Sequence, residues 1–195
     1  LLKWTREDEH CWEPYGSASI NKLFGAINDN GQIVYWSNEA FSDTYLSRPS
    51  NEELYNFTSF KFLNNDFTKI RSKPKTSAHM GIHRNLDPLY NFSKTRLVKN
   101  LVHDLPLRTS ALRTLGAFAN ITSSESFLND LAFAKNIDPF KIRKNHLDDE
   151  RAIEVLENLE NTMKKSHAKP NNYRGIGFSR YKNSAAYCAV GVELN

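Results

Sequence analysis

A chain of 195 residues with 39% apolar content has room for one sizeable core, and its plentiful aromatics argue against disorder. Its net charge of +4 is mild, and the basic residues are spread out apart from "KIRSKPK" at 69–75, so a concentrated nucleic-acid footprint is missing. No apolar run approaches the roughly 18 residues of a membrane helix, and Cys11 and Cys188 are too far apart in sequence for a metal-spaced pair, reading instead as two free thiols or one long-range disulfide.

The first stretch, "LLKWTREDEH", has no long apolar leader and no initial methionine, which suits a fragment or a processed product. Localisation stays unknown from the sequence, with two unpaired thiols favouring the cytoplasm and the periplasm left open. Within it, Glu7, Asp8 and Glu9 are consecutive carboxylates; in a strand or turn they diverge, so they read as a solvated charge run rather than an acid–base pair. Residues 17–46 read as a β-hairpin: "SASINKLFGAIN", a turn at Asn30-Gly31, then "IVYWSNEAFSDTYL". From 47 to 83 periodicity fails, which marks a long loop. His79 and His83 in "HMGIH" have metal-ligand spacing, but Gly81 between them and the lack of helical context favour two surface histidines. "TRLVKNLVH" at 95–103 reads as a third strand, ended by Pro106.

Then the pattern turns helical. Around 118–135, Phe118, Ile121, Leu128, Leu131 and Ala132 share one arc. Asp138-Pro139 is a helix start, with Asp as cap and Pro in the first turn. "DDERAIEVLENLENTMKK" begins acidic, ends basic, and carries the stripe Ala152, Val155, Leu156, Leu159 and Met163. "KPNN" is a linker, and "YRGIGFSRY…AAYCAVGVEL" returns to strand. The predicted class is α+β: a hairpin and strands, a helical segment, a returning strand. Its divisions are a β-rich part at 1–104 with the loop 47–83, a helical segment at 105–170, and the start of a further β segment at 171–195.

The most suggestive stretch is "LPLRTSALRTLGAFANITSSESFLNDLA" at 105–132, where Arg108 and Arg113 bracket small residues that lead into a helix. A helix start flanked by arginine suits an anion or an oxygen-rich cofactor, while a loop with solvated arginines is the plainer alternative. Glu125 sits at the rim of the apolar arc, where its carboxylate either meets a buried partner such as an arginine or reaches water past Asn129. The basic, aromatic 55–75 segment either stacks on single-stranded bases or packs on the protein itself.

In order, "WTREDEHCWEPYGSA", "HRNLDPLYNF", "LPLRTSALRTLGAFAN", "ESFLNDLA", "DPFKIRKNHLDDERA" and "GIGFSRYKNSAAYCAVGVEL" resemble the large, molybdenum-binding subunit of the xanthine dehydrogenase and aldehyde oxidase family. The likeness is strongest to its isoquinoline 1-oxidoreductase and nicotinate dehydrogenase branch. The resemblance implies part of a larger molybdopterin-binding domain, with the cofactor in its cytosine dinucleotide form. It places Leu112, Arg113 and Gly116 at the cofactor and Leu115 toward substrate, with Arg108 and Glu125 in supporting roles. Leu115 stands where xanthine-type enzymes carry an aromatic, and Ala119 where relatives commonly carry Gln or His.

The implied parent enzyme oxidises an N-heterocycle or aldehyde with water as the oxygen source and passes electrons to iron–sulfur clusters on a small partner subunit. The family's glycine-rich cofactor segment would precede Leu1 and its general-base glutamate would follow Asn195. The chain alone is therefore expected to be inactive, with faces that could pair two copies as a homodimer. A non-catalytic scaffold relative and a single-stranded nucleic-acid module remain as alternatives.

Overall fold

The structure is a computed structural model that describes residues 1–13, 15–45, 73–103, 105–106, 109–165 and 173–194. Most of the loop 47–83, most of the 55–75 segment, the "KPNN" linker and Arg108 lie outside the described residues.

The chain opens with a helix, α1 (Arg6–Trp12), where the charge run suggested a strand or turn. The reason is a capping box. The Thr5 hydroxyl accepts the Asp8 N–H at 3.2 Å, and the Asp8 carboxylate accepts the Thr5 N–H at 3.0 Å. Those bonds hold the Asp8 carboxyl below its usual range. The signal was present as Thr-x-x-Asp, but no apolar stripe follows it.

Strands β1 (Ser19–Ile27) and β2 (Ile33–Ser42) form the expected hairpin. Its turn is closed by Asn28, whose side-chain oxygen accepts the N–H groups of Asn30 and Gln32, and by Gly31 at φ +77°, which only glycine adopts without strain. Strand β3 (Thr95–Leu101) pairs with β2 in parallel, from Trp36 opposite Thr95 to Ser42 opposite Leu101, giving the order β1-β2-β3.

Helix α2 (Ala117–Ala134) crosses this sheet. Its buried face is Ala117, Asn120, Ser124, Glu125, Leu128 and Ala132, with Ile121 and Leu131 half-buried. Phe118, expected inside, is 73% exposed. The helix turns three polar side chains inward, so apolar periodicity alone misjudged its facing. Helix α3 (Pro139–Lys144) starts as predicted, with the Asp138 carboxylate accepting the Lys141 N–H at 2.8 Å and proline in its first turn. In α4 (Glu150–Lys165), Ala152 and Leu156 are buried and Val155, Leu159 and Met163 pack half-buried against the core.

The returning strand is a second hairpin. β4 (Tyr173–Arg180) and β5 (Tyr187–Leu194) pair antiparallel as a separate two-stranded sheet. Asp149, beside the start of α4, ties that hairpin down: its carboxylate accepts from the Arg151 and Ala152 N–H groups, the Tyr187 hydroxyl at 2.6 Å and Arg180 at 3.1 Å.

The core lies where α2, α3, α4 and the two sheets meet, around Trp36, Leu128, Ile142, Leu156, Ile176 and Phe178. Phe92 stacks on Trp36 at 4.8 Å between ring centres. His146 is buried there with both nitrogens used. Nδ1 donates to the Ile142 carbonyl at 2.7 Å, and Nε2 accepts the Ile33 N–H at 2.8 Å, which fixes the tautomer.

Candidate functional site

The segment from Thr109 into α2 is laid along the chain's first loop. Thr109 bridges Tyr15, the Ser110 N–H donates to the Tyr15 carbonyl at 2.9 Å, and Leu112 packs beside Gly16. The chain then doubles back through a tight turn. Thr114 at φ +77° and Leu115 at φ +55° are consecutive non-glycine residues in the left-handed region. Each such residue costs about 1–3 kcal/mol and persists where its surroundings over-determine it. Here they do. A Cβ on Gly116 would collide with the carbonyls of Gly81 and Ile82, so the backbones touch, and Gly81 is itself left-handed at φ +53°. One turn on, Asn120 donates to the carbonyls of Ile82 and Arg84 at 2.7 and 3.0 Å and accepts from Asn21 at 2.8 Å. The turn is thus held from behind by the 81–84 segment and by β1.

What it presents outward is Leu112, 49% exposed, and Arg113, exposed and with no partner among the described residues. Gly116 is buried against Gly81 and Ile82, and Leu115 is only 9% exposed. The turn therefore brings Leu112 and Arg113 together on an open face and directs Leu115 and Gly116 inward.

Glu125 belongs to a different site, 9 residues past Gly116 along α2 and fully engaged inside the protein. Its carboxylate lies 2.9 Å from Arg143 Nε and accepts the Tyr90 hydroxyl at 2.9 Å and the Phe178 N–H at 2.7 Å. Arg143 also donates to the carbonyl of Pro139 at 2.8 Å and to the side chain of Asn129 at 2.9 Å. Glu125 thus has a buried arginine partner. Burial raises Glu125 above the usual carboxylate range while Arg143, the Phe178 N–H and Tyr90 pull it back. Burial, and then the neighbouring carboxylate, push the Tyr90 hydroxyl well above its ordinary value.

The sequence reading missed Arg143, Tyr90, Asn120 and His146. Arg143 lies 18 residues from Glu125 and reads as an ordinary basic residue at a helix C-terminus; only the tertiary fold pairs them. His83 accepts at Nδ1 from Lys99 rather than facing His79 across a shared ligand, and the described residues hold no cluster of three metal-ligating side chains.

No family model matches the chain. By sequence it is 29% identical over 193 residues to one of the subunits of nicotinate dehydrogenase from Pseudomonas putida, a match covering 94% of this chain. The chain is a distant relative of the molybdenum hydroxylase large subunit. It is a fragment-sized one, spanning 15% of that relative's length. The α+β architecture agrees with a solved structure, aldehyde oxidoreductase from Desulfovibrio gigas, with a TM-score of 0.53 at 15% identity over 84% of this chain and 18% of that one. As expected from the sequence, no helix of the described residues of this molybdenum hydroxylase relative is long and apolar enough to cross a membrane.

Proposed function

We propose that this chain forms the cofactor-side segment of a molybdenum hydroxylase large subunit, of the nicotinate dehydrogenase and isoquinoline 1-oxidoreductase type. The observation that supports this most is the strained turn at 112–116, braced from behind and open in front, with Arg113 exposed and without a partner among the described residues. Arginine gives a planar, permanently charged set of donors suited to phosphate or other oxyanions, so Arg113 and Leu112 fit one wall of a molybdopterin site. Gly116 and Leu115 shape that wall from inside. Bound there, the molybdenum group would supply Lewis acidity and an electron sink. The chain's own part is to fix the position of Arg113 through the Gly116 contact and the Asn120 hydrogen bonds.

The whole enzyme, in this reading, oxidises an N-heterocycle or an aldehyde with water as the oxygen source. Electrons leave to iron–sulfur clusters on a partner subunit; the Pseudomonas relative is itself named as one subunit of an enzyme. The chain alone, at 15% of that relative's length, is inactive.

The deciding experiment is molybdenum and pterin content of the natural full-length polypeptide, co-expressed with its small subunit in a cofactor-competent host. About one molybdenum per chain, lost in Arg113→Ala with the fold intact, supports the reading. No molybdenum in a folded complex replaces it with that of a scaffold relative.

A further inference from the structure

The segment 81–87 serves two turns at once. On one side, the carbonyls of Gly81 and Ile82 lie against Gly116, and Asn120 donates to the carbonyls of Ile82 and Arg84. On the other side, the same segment meets the β4–β5 connection. The Arg84 guanidinium donates to the Tyr181 hydroxyl at 2.6 Å, and the Asn183 side chain donates to the Asp87 carbonyl at 2.9 Å. Asn85, only 4% exposed, makes the most bonds. Its amide donates to the Arg180 carbonyl at 2.9 Å and to the Asn183 side chain at 3.2 Å, and its oxygen accepts the Lys182 N–H at 2.8 Å.

The two turns share a second property. Thr114–Leu115 and Lys182–Asn183 are the two places among the described residues where consecutive non-glycine residues are left-handed, the second pair at φ +55° and +51°. Such backbone persists where its surroundings over-determine it. At 182–183 much of that surrounding is Asn85, itself at φ +55°, a region that asparagine tolerates better than most residues. A buried amide whose donors and acceptor are all spent on another segment fixes that segment in place, because displacement leaves polar groups unpaired away from water.

We propose that Asn85 is the positioning residue of the 112–116 turn: it locks the turn's backing to the β4–β5 connection, so that the two strained turns open together. Its neighbour Arg84 shows how short the link is, since the carbonyl serves Asn120 while the guanidinium serves Tyr181. The coupling follows from the fold alone; its bearing on a cofactor at Arg113 rests on the proposed function.

The test is hydrogen exchange, read by mass spectrometry on the natural full-length polypeptide. Peptides over 112–117 and 181–184 are compared with the β1–β2 turn, which makes none of these contacts. Asn85→Gly keeps the left-handed backbone free of strain and removes only the side chain. Exchange over 112–117 then rises about tenfold relative to the β1–β2 turn. Asn85→Asp, which keeps the acceptor for the Lys182 N–H, gives a smaller rise. Coupling is reciprocal, so Asn120→Ala speeds exchange over 181–184. Should Asn85→Gly fail to fold, Asn183→Gly combined with Tyr181→Phe removes the bonds from the hairpin side and reads the same rise. Unchanged protection of 112–117 in a folded variant, or an equal rise in every peptide, overturns the proposal. Neither readout involves molybdenum: a polypeptide without the metal that still shows the linked exchange removes the proposed function and leaves this coupling standing.

Discussion

Two ends of the same helix treat polarity in opposite ways. In its middle, α2 turns Glu125 inward, where an arginine, a tyrosine hydroxyl and a backbone N–H converge on one carboxylate. At its start, the chain accepts two left-handed residues and leaves an arginine outside with no partner among the described residues. A region whose donors and acceptors are matched can be explained by folding alone. A region that stores strain beside an exposed charge is where the proposed cofactor wall can be tested.

That contrast can be broken experimentally. The largest effect belongs to the buried pair. Arg143→Met strands a carboxylate in the core and costs about 3–5 kcal/mol in urea unfolding. A loss below about 1 kcal/mol would show that water reaches Glu125 and that the middle of α2 is open to solvent. Gly116→Ala comes next, since a methyl there meets two backbone carbonyls. A cost of about 1–3 kcal/mol is expected, along with reduced molybdenum retention in the full subunit.

Thr114→Gly probes the strain from the other side. At an exposed position with φ +77° it removes the penalty and raises stability by about 1 kcal/mol. A fall in stability would mean that Thr114 makes an interaction worth more than the strain.

The pH dependence separates the fully buried carboxylate from two half-buried ones. The Asp149 carboxyl is depressed, first by the Tyr187 hydroxyl and with help from Arg180, and Glu160 is depressed by Lys144 and Lys164. Their contribution is present above the unfolded values of 3.8 and 4.5 and is lost as pH falls through the lower folded ones. Glu125, raised by burial, has the reverse sign: its share is present below its unfolded value and lost as pH rises through the folded one. Asp149→Asn should therefore flatten the acid limb of the stability curve while Arg143→Met leaves that limb in place. The smallest effect is that of Arg113→Ala, within about 0.5 kcal/mol, because its side chain has no partner among the described residues; in the proposed reading only cofactor content registers the change.

How much of this could be read beforehand follows from the range of the forces involved. The β1–β2 turn, the Asp138-Pro139 start and the α4 stripe depend on residues within a turn or two of one another, and each was legible. The Thr5 and Asp8 cap is just as local but lacks the apolar pattern that marks a helix in sequence. Phe118 lies outside for a different reason. The facing of α2 is decided by Asn120 reaching Ile82 and by Glu125 reaching Arg143, contacts between segments far apart in sequence. A role for Arg113 was implied only through likeness to a family, while its exposure, with no partner among the described residues, is a property of the fold.

The parallel pairing of β2 and β3 has a kinetic consequence. β1 finds β2 across a short turn, a closure that takes on the order of microseconds. β3 joins β2 across a far longer separation in sequence, and Gly81, Ile82 and Arg84, the backing of the 112–116 turn, lie between the two strands. Long closures of this kind slow folding. The first hairpin is therefore an early event, and the strained turn takes its shape late, after the sheet that supports it has been completed.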